Sequence, residues 1–407
     1  MRERLKVKCI FLVHLTIRFF LEVCAVSSRF VKSSMLPGAY YFSGSEAVAE
    51  GAITAGCRYY GGYPITPSSE IMERIAWRFH EVGGVFMQME DELASICSLI
   101  GASWAGAKAM TATSGPGLSL MMESTGYAAS TETPLVIVDV QRAGPGTGQA
   151  TRVADGDIMQ VKWGSHGDYQ VIAYSPWSVQ EMYDFTIKAF NMAERYRVPA
   201  FVMASEATAH LKEQMVMSEK VEIYDRVKQP GAAPFDTKEQ DGVPPMPSFG
   251  EGECLLVTGS THEGYGFRRS DNPEVQQRLV SRLHFKIMNH RDDIVEVERY
   301  YLDKDRLDVV VVSYGFTARS SLYTVERLRS EGKRVGMLRL KTLWPFAETA
   351  VQEASKHTKK IFVPEMNMGQ VAGLVREYAS SEVVTFNQTN GEVISPSTIE
   401  KALRRIL

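Results

Sequence analysis

The sequence predicts an α/β protein built from two parallel-sheet domains. Two observations carry this expectation. Strand-like and helix-like segments alternate from residue 39 to about 212, and again from about 253 to 407, the rhythm of parallel strands covered by helices on both faces. Between the two runs, Gln229 to Gly252 is rich in proline and glycine (Pro230, Pro234, Pro244, Pro245, Pro247) and follows neither period, as expected of a linker crossing the surface. The expected division is an N-terminal extension over 1–38, a first domain over 39–228, a linker over 229–252 and a second domain over 253–407. A chain of 407 residues has room for two or three domains with sizeable cores.

The first 34 residues begin basic (Arg2, Arg4, Lys6, Lys8) and carry apolar residues from Cys9 to Val26. His14, Arg18 and Glu22 interrupt that run, so it suits neither a secretory signal nor a membrane span. An appended amphipathic segment and a true start at Met35 are the two readings that remain.

The first domain opens with a small-residue helix over Ser43 to Ala55, capped by Ser43 or Ser45. Cys57 to Gly62 is a short strand, which Pro64 cannot continue because it has no N–H for the ladder. Thr66-Pro67 then reads as a helix start, Thr66 at the N-cap and Pro67 at the first helical position. The helix follows over Glu70 to His80, with Ile71, Ile75 and Phe79 on one face. Val85 to Gln88 is the next strand, and Glu90, Asp91 and Glu92 come just after it. A helix rich in alanine and glycine spans Leu93 to Ala105, and strands are expected at Ala107 to Ala112, Pro134 to Val140, Tyr169 to Ala173 and Pro199 to Met203. The helix Val179 to Tyr196 precedes the last of these. Two helices end alike, at Gly51 to Gly56 and Gly101 to Gly106, small-residue spacings that suit close packing.

Three places in this domain can hold a ligand. The helix start near Thr66 offers free N–H groups and a partial positive charge to an anion. Ser114-Gly115-Pro116-Gly117 turns from a strand into a helix over Leu118 to Met122 and can do the same, or bring backbone close to a ligand. Gln141-Arg142 ends a strand, and ligands of open α/β sheets sit at strand ends. The loop after it is not a dinucleotide fingerprint, because Gly144, Gly146 and Gly148 alternate instead of following G-x-G-x-x-G.

In the second domain, Cys254 to Thr258, Asp308 to Ser313, Arg334 to Arg339 and Lys360 to Val363 read as strands. Helices alternate with them at Thr317 to Glu331, Phe346 to Ser355, Val371 to Ser380 and Ser395 to Arg405, and the charged stretch Glu274 to Arg299 reads as helical. A net charge of −3 and the lack of a basic stripe with interleaved aromatics exclude a nucleic-acid partner. The cysteines, at 9, 24, 57, 97 and 254, include no C-x-x-C. They predict neither a zinc or iron–sulfur site on this chain nor a disulfide framework, and they suit the cytoplasm.

Five separated motifs, together with Y-P-I-T-P-S-S at Tyr63 to Ser69, resemble one family. They are Q-M-E-D-E-L-A-S at Gln88 to Ser95, T-A-T-S-G-P-G at Thr111 to Gly117, V-Q-R-A-G-P-G-T-G at Val140 to Gly148, L-R-L-K-T-L-W-P-F at Leu338 to Phe346 and E-M-N-M-G-Q at Glu365 to Gln370. In this order they resemble the α subunit of 2-oxoacid:ferredoxin oxidoreductases, most closely the 2-oxoglutarate type. The resemblance begins near Ala39, which favours a start at Met35. It implies a pyrimidine-type thiamine-diphosphate-binding fold followed by a transketolase C-terminal-like domain.

The activity it implies is coenzyme A-dependent oxidative decarboxylation of 2-oxoglutarate to succinyl-CoA, or the reverse reductive carboxylation, with ferredoxin as electron carrier. Thiamine diphosphate would be shared with a β subunit. Mg²⁺ and [4Fe–4S] clusters would lie on partner subunits, among them γ and ferredoxin-like δ chains, with no membrane involved. Asp155-Gly156-Asp157 imitates the Gly-Asp-Gly metal motif of thiamine enzymes, but Ala154 replaces its first glycine and Asn191 lies too far on.

Glu92 matches the glutamate at the cofactor's pyrimidine N1′, where a carboxyl able to share a proton activates the cofactor. Thr66 and Arg142 match the residues at the 2-oxo acid carboxylate, for which a guanidinium fork suits. Pro64, Ile65, Ser114 and Gly115 match cofactor contacts, and Glu90 and Asp91 are alternatives to Glu92. Three rival readings stay open: the same class acting on branched-chain 2-oxo acids or pyruvate, a non-redox thiamine-dependent transferase, and a non-catalytic assembly subunit.

Overall fold

The computed structural model describes residues 35–302 and 306–407, so the readings made for residues 1–34 lie outside the described residues. The strands are β1 (Gly38–Ser43), β2 (Cys57–Gly62), β3 (Val85–Gln88), β4 (Lys108–Thr113), β5 (Leu135–Ala143), β6 (Gln149–Val153), β7 (Ile172–Tyr174) and β8 (Pro199–Ser205). They continue as β9 (Lys212–Met217), β10 (Val297–Tyr300), β11 (Val309–Tyr314), β12 (Val335–Leu340), β13 (Thr342–Trp344), β14 (Lys360–Glu365) and β15 (Glu382–Asn387). The first sheet runs β13-β7-β8-β5-β4-β2-β3, with β6 antiparallel on the end of β5. All pairs from β7 to β3 are parallel. The second sheet runs β10-β12-β11-β14-β15 and is parallel except for β10. The α/β class with two mostly parallel sheets is as the sequence predicts.

Local chemistry sets the helix starts. Ser43 closes a capping box with Glu46 at the head of the helix Gly44–Thr54. The helix after β2 begins at Ser69, and its N-cap is Ser68 instead of Thr66. The Ser68 hydroxyl donates back to the Ile65 carbonyl at 2.8 Å, so Tyr63 to Pro67 form a loop beyond the strand and Thr66 is left exposed in it. Of the two glycine-spaced helix ends, the first packs closely, since a Cβ on Gly51 would meet the Tyr183 carbonyl oxygen at 2.7 Å. A Cβ on Gly101 would meet nothing within 4 Å, so the second is not a packing position within this chain.

The two halves are joined more tightly than a linker implies. β13, which lies in the L-R-L-K-T-L-W-P-F motif, leaves the second sheet and pairs antiparallel with β7 of the first. One apolar cluster runs from Leu118, Ile137 and Phe201 to Val310, Leu338 and Trp344. Cys254 to Thr258, expected as a strand, is irregular. Leu255 and Val257 pack against the core, so they satisfy apolar burial without a ladder partner. The charged stretch 274–299 forms the helices Pro273–Met288 and Arg291–Ile294 and then turns into β10.

Residues 218–272 form a long irregular strap held down by buried charge. Arg197 is 1% exposed. It donates to the carbonyls of Glu132 (2.9 Å), Pro234 (2.5 Å) and Pro245 (3.0 Å) and lies against the Trp104 and Phe235 rings. Arg226 pairs with Glu194 at 2.6 Å and donates to the Ser103 and Ala107 carbonyls. Glu132 receives Arg282 at 2.7 Å and Lys286 at 2.8 Å. These cations hold its carboxyl far below the usual range despite complete burial. Asn191 serves the same strap, donating to the Glu222 carbonyl and accepting from the Tyr224 N–H.

Candidate functional site

The order of the first sheet locates its ligand crevice. From β2 the chain crosses to β3 on one side, and β4 then lies on the other side of β2. In open α/β sheets the crevice lies beyond the strand ends where the order reverses. The loop Tyr63 to Pro67 follows β2, the Glu90–Glu92 turn follows β3, and Ser114-Gly115 follows β4. Arg142 sits near the end of the adjacent β5. The sequence candidates therefore gather at one end of one sheet, although β3 and β5 are not neighbours.

Glu92, Asp91 and Glu90 take three different environments. Asp91 is the N-cap of the helix Glu92–Trp104, and its side chain accepts the Ala94 N–H at 2.7 Å. Glu90 is exposed. Glu92, at the first helical position, is 5% exposed. Its carboxylate forms no hydrogen bond or ion pair among the described residues. It lies beside Gly117 in the turn after β4, where an added Cβ would come within 2.4 Å of Glu92 Oε1 and 2.2 Å of Thr113 Oγ1. The hydroxyls of Thr113 and Ser114 are buried nearby on β4 and its turn without partners. Native folds pair buried polar groups almost without exception, so this set fits a polar ring bound across it. A thiamine pyrimidine, with donor and acceptor nitrogens, is such a ring.

Arg142 is 8% exposed. Its Nη1 donates to the Thr66 carbonyl at 2.7 Å, and its Nε has no partner. The structure thus brings Arg142 and Thr66 together, through the Thr66 backbone; the Thr66 side chain forms no hydrogen bond among the described residues. Arg142 makes no ion pair among the described residues either. It faces a cavity of about 560 Å³ lined by Gly115, Pro116, Asp157, Gln160, Asn367 and Met368, among others. The second domain supplies one wall. Pro64 is exposed and Ile65 half-buried in the same loop. A guanidinium that lacks a carboxylate in a cavity of this size is a seat for a small anion.

The E-M-N-M-G-Q motif builds the second-domain wall. The Glu365 carboxylate accepts the N–H groups of Val371 and Ala372 at 2.8 and 2.9 Å, and Asn367 accepts those of Gly369 and Gln370. The motif is therefore a helix cap for Gln370–Tyr378. It also grips the turn Asp155-Gly156-Asp157: Asn367 donates to the Asp155 carbonyl at 2.6 Å and Gln370 to the Gly156 carbonyl at 2.5 Å.

The two acids of that turn, which the sequence reading weighed only as an imitation metal motif, lie against a third that it missed, Asp139. Asp139 on β5 is fully buried, Asp155 is nearly so, and Asp157 is partly buried. Burial pushes the Asp139 carboxyl well above the usual carboxylate range, and its contact with Asp157 adds to this. Burial pushes Asp157 up to about 6, opposed by the neighbouring Asp139 carboxyl and by the charge of Arg142. Asp155 rises to about 7, through burial first and then the charges of Glu365 and Asp157. Asp139 is one apolar step from Gln141-Arg142 along β5, so the V-D-V-Q-R alternation was the available signal. An acid within a strand buried on both faces is unusual.

Comparison with known proteins agrees with this geometry. The family described as pyruvate flavodoxin/ferredoxin oxidoreductase, thiamine diphosphate-binding, matches residues 50–282. Pyruvate:ferredoxin oxidoreductase core domain II matches 307–399. The chain is 50% identical over 366 residues to the 2-oxoglutarate synthase subunit KorA of Methanothermobacter marburgensis, covering 88% of this chain and 97% of that one. It is 46% identical over 368 residues to the subunit of the same name from Methanocaldococcus jannaschii, covering 89% and 98%. A ketoisovalerate oxidoreductase subunit, VorB of Methanothermobacter thermautotrophicus, is 34% identical over 89% of this chain and 96% of its own. Among solved structures, the 2-oxoglutarate:ferredoxin oxidoreductase from Magnetococcus marinus with 2-oxoglutarate, coenzyme A and succinyl-CoA bound superposes with a TM-score of 0.85 at 31% identity. The match covers 90% of this chain and 65% of that longer one. By the extent of these matches, the chain belongs to the 2-oxoacid:ferredoxin oxidoreductase family, as an α-type subunit carrying its thiamine diphosphate-binding domain and core domain II.

Proposed function

We propose that this chain is the catalytic α subunit of a 2-oxoglutarate:ferredoxin oxidoreductase. The reaction joins 2-oxoglutarate and coenzyme A, releases CO₂, passes two electrons singly to ferredoxin and yields succinyl-CoA; it also runs in reverse as reductive carboxylation. The observation that carries the reading is the pairing of two uncompensated buried groups at one sheet end. Glu92 has no partner beside the Gly117 cradle, and the Arg142 guanidinium pairs with no carboxylate among the described residues and keeps a free Nε in the adjoining cavity. The substrate choice is supported by the relatives named 2-oxoglutarate synthase at 46–50% identity, against 34% for the ketoisovalerate subunit.

When bound, thiamine diphosphate supplies the electron sink into which the 2-oxo acid loses CO₂. This chain's residues prepare that step. Glu92 holds a proton at the pyrimidine N1′, in a site where burial strengthens the contact. Gly117 leaves room for the Glu92 carboxyl and the Thr113 hydroxyl, which a Cβ there would displace. Ser114, Gly115, Pro64 and Ile65 line the approach from the turns after β4 and β2. Arg142 draws in the substrate carboxylate, with Thr66 held beside it by the 2.7 Å backbone contact. The wall formed by Asn367 and Gln370 limits water in the cavity.

The diphosphate and its Mg²⁺, and the [4Fe–4S] clusters, belong to partner subunits: a β subunit, with γ and δ chains beside it, and ferredoxin as acceptor. No group of three or more metal-ligating side chains occurs among the described residues. Leu93 and Leu120 lie exposed beside the site, as does Gly101, a surface that suits a partner chain. We place the complex in the cytoplasm, in keeping with dispersed cysteines; no helix among the described residues is long and apolar enough to cross a membrane.

The test is reconstitution. The chain alone should show no 2-oxo acid oxidation and weak cofactor binding, and addition of the β partner should restore both. Robust Mg²⁺-dependent cofactor binding by the chain alone would reject the shared site. A complex that oxidises pyruvate or branched-chain 2-oxo acids in preference to 2-oxoglutarate would reject the substrate.

A further inference from the structure

Arg142 shares its cavity with an acid yet forms no pair with it. Asp157 lines the same cavity as Arg142, and the guanidinium still lacks a partner at Nε. Two contacts turn Asp157 aside. Its backbone N–H donates to the Gln141 side-chain oxygen at 3.0 Å, and its carboxyl lies beside that of Asp139 on β5. Gly115 permits this arrangement, since an added Cβ would lie 3.3 Å from Asp157 Oδ2.

The groups facing the pair from every side are few. Asp139 and Arg142 come from β5, Gly115 from the turn after β4, and Asn367 and Gln370 from the second domain. Asp155 adds its charge to the pair and to Glu365 and Tyr314, but it does not line the cavity, whereas Asp157 does. Asp157 is therefore the acid that can place a charge in the cavity. An ionised Asp157 would oppose an incoming carboxylate and compete with it for Arg142. A protonated one would leave the guanidinium to the substrate.

We propose that Asp157, held off Arg142 by Asp139, is a positioning residue that couples capture of the substrate carboxylate to uptake of one proton by the aspartate pair. This rests on the reading of the cavity as the 2-oxo acid site. The coupling is reciprocal, since a ligand that prefers the protonated pair raises the pair's hold on its proton. It keeps the seat selective for an anion although two acids lie close to it.

The experiment uses the assembled α–β complex. In the wild type, KM for 2-oxoglutarate should be lowest below pH 6 and should rise above it by up to about tenfold per pH unit, as one linked proton requires. Asp157→Asn should give a low KM that stays flat with pH, with a much smaller change in kcat. Asp139→Asn should keep a step in KM, because Asp157 still carries the charge. Calorimetric titration with glutarate, a dicarboxylate without the keto group, in two buffers of different ionisation enthalpy should show proton uptake near pH 7 in the wild type and none in Asp157→Asn. A KM that is flat with pH in a complex that turns over 2-oxoglutarate would overturn the coupling and leave the assigned activity standing. So would an unchanged pH step in Asp157→Asn. A complex that turns over no 2-oxo acid would overturn both.

Discussion

Two regions of this molecule bury charge, and they treat it in opposite ways. Under the strap, Glu132 receives Arg282 and Lys286, and Arg226 is matched by Glu194. Arg197 spends its Nε and Nη1 donors on carbonyls and lays its guanidinium against two rings. At the sheet end, the Glu92 carboxylate makes no hydrogen bond among the described residues, and the Arg142 Nε, both Asp139 carboxyl oxygens and Asp157 Oδ2 are buried without a partner. Desolvating a charge costs several kcal/mol unless it is paired. The strap region meets most of that cost within the chain, leaving the Arg197 Nη2 without a partner, and thereby fixes a long irregular segment. The sheet end leaves it unmet, which a fold sustains where another molecule completes the contacts. Burial alone thus does not separate an anchor from a site; the presence or absence of a partner does.

The contrast is broken most directly at its two glutamates. Glu92→Gln should remove most turnover, roughly 10²–10⁴-fold or about 3–5 kcal/mol of barrier. The unfolding free energy should change by only about 0.5 kcal/mol, because the carboxylate has no protein partner to lose. Turnover and hydrogen–deuterium exchange at the cofactor's C2, in complexes of matched cofactor occupancy, check this. Wild-type values of both would return Glu92 to the class of structural acids.

Glu132→Gln should do the reverse. Removing the anion from beneath three cations should cost about 3–5 kcal/mol of stability, read by urea unfolding. The pH dependence sharpens the point. The folded-state pKa of Glu132 is depressed, so its contribution is present above the unfolded value near 4.3 and is lost as pH falls below it. The variant should show a shallower loss of stability in that acid range than the wild type.

Arg142→Lys asks whether the cavity needs the fork of a guanidinium or only a positive charge. KM for the 2-oxo acid should rise by about 10- to 100-fold, with kcat less affected, because the contact is made in the ground state as well. An unchanged KM would place the carboxylate elsewhere.

The smallest effect concerns Asp155, which no cation balances. Its folded-state pKa is raised to about 7. Its contribution is therefore fully present below the unfolded value and is lost as pH rises through 7. Asp155→Asn should match the wild type near pH 4 and exceed it at pH 8 by on the order of 1 kcal/mol, part of the full linkage, because the amide is still buried. Denaturant midpoints at the two pH values test this, and a variant less stable at both would show that the carboxyl is needed in its charged form.

The sequence by itself determined the class of the fold and most of its elements, because these depend on local patterns. The spans of the helix Val179–Tyr196 and of the strands β2 and β3 match their predicted ones, since apolar period and turn residues are written along the chain. The motifs also brought Glu92, Arg142 and Ser114-Gly115 into view. Only the tertiary structure decided how these are arranged. It separated Glu92 from Asp91 and Glu90 by burial and capping, moved the N-cap from Thr66 to Ser68, and aligned Arg142 with the Thr66 carbonyl. It also carried β13 across to the first sheet and set Asp139 against Asp157. The Arg142–Thr66 contact alone joins residues 76 positions apart, where no local period reaches. Whether a buried charge finds a partner depends on which strands become neighbours, and that is settled only when the sheets close.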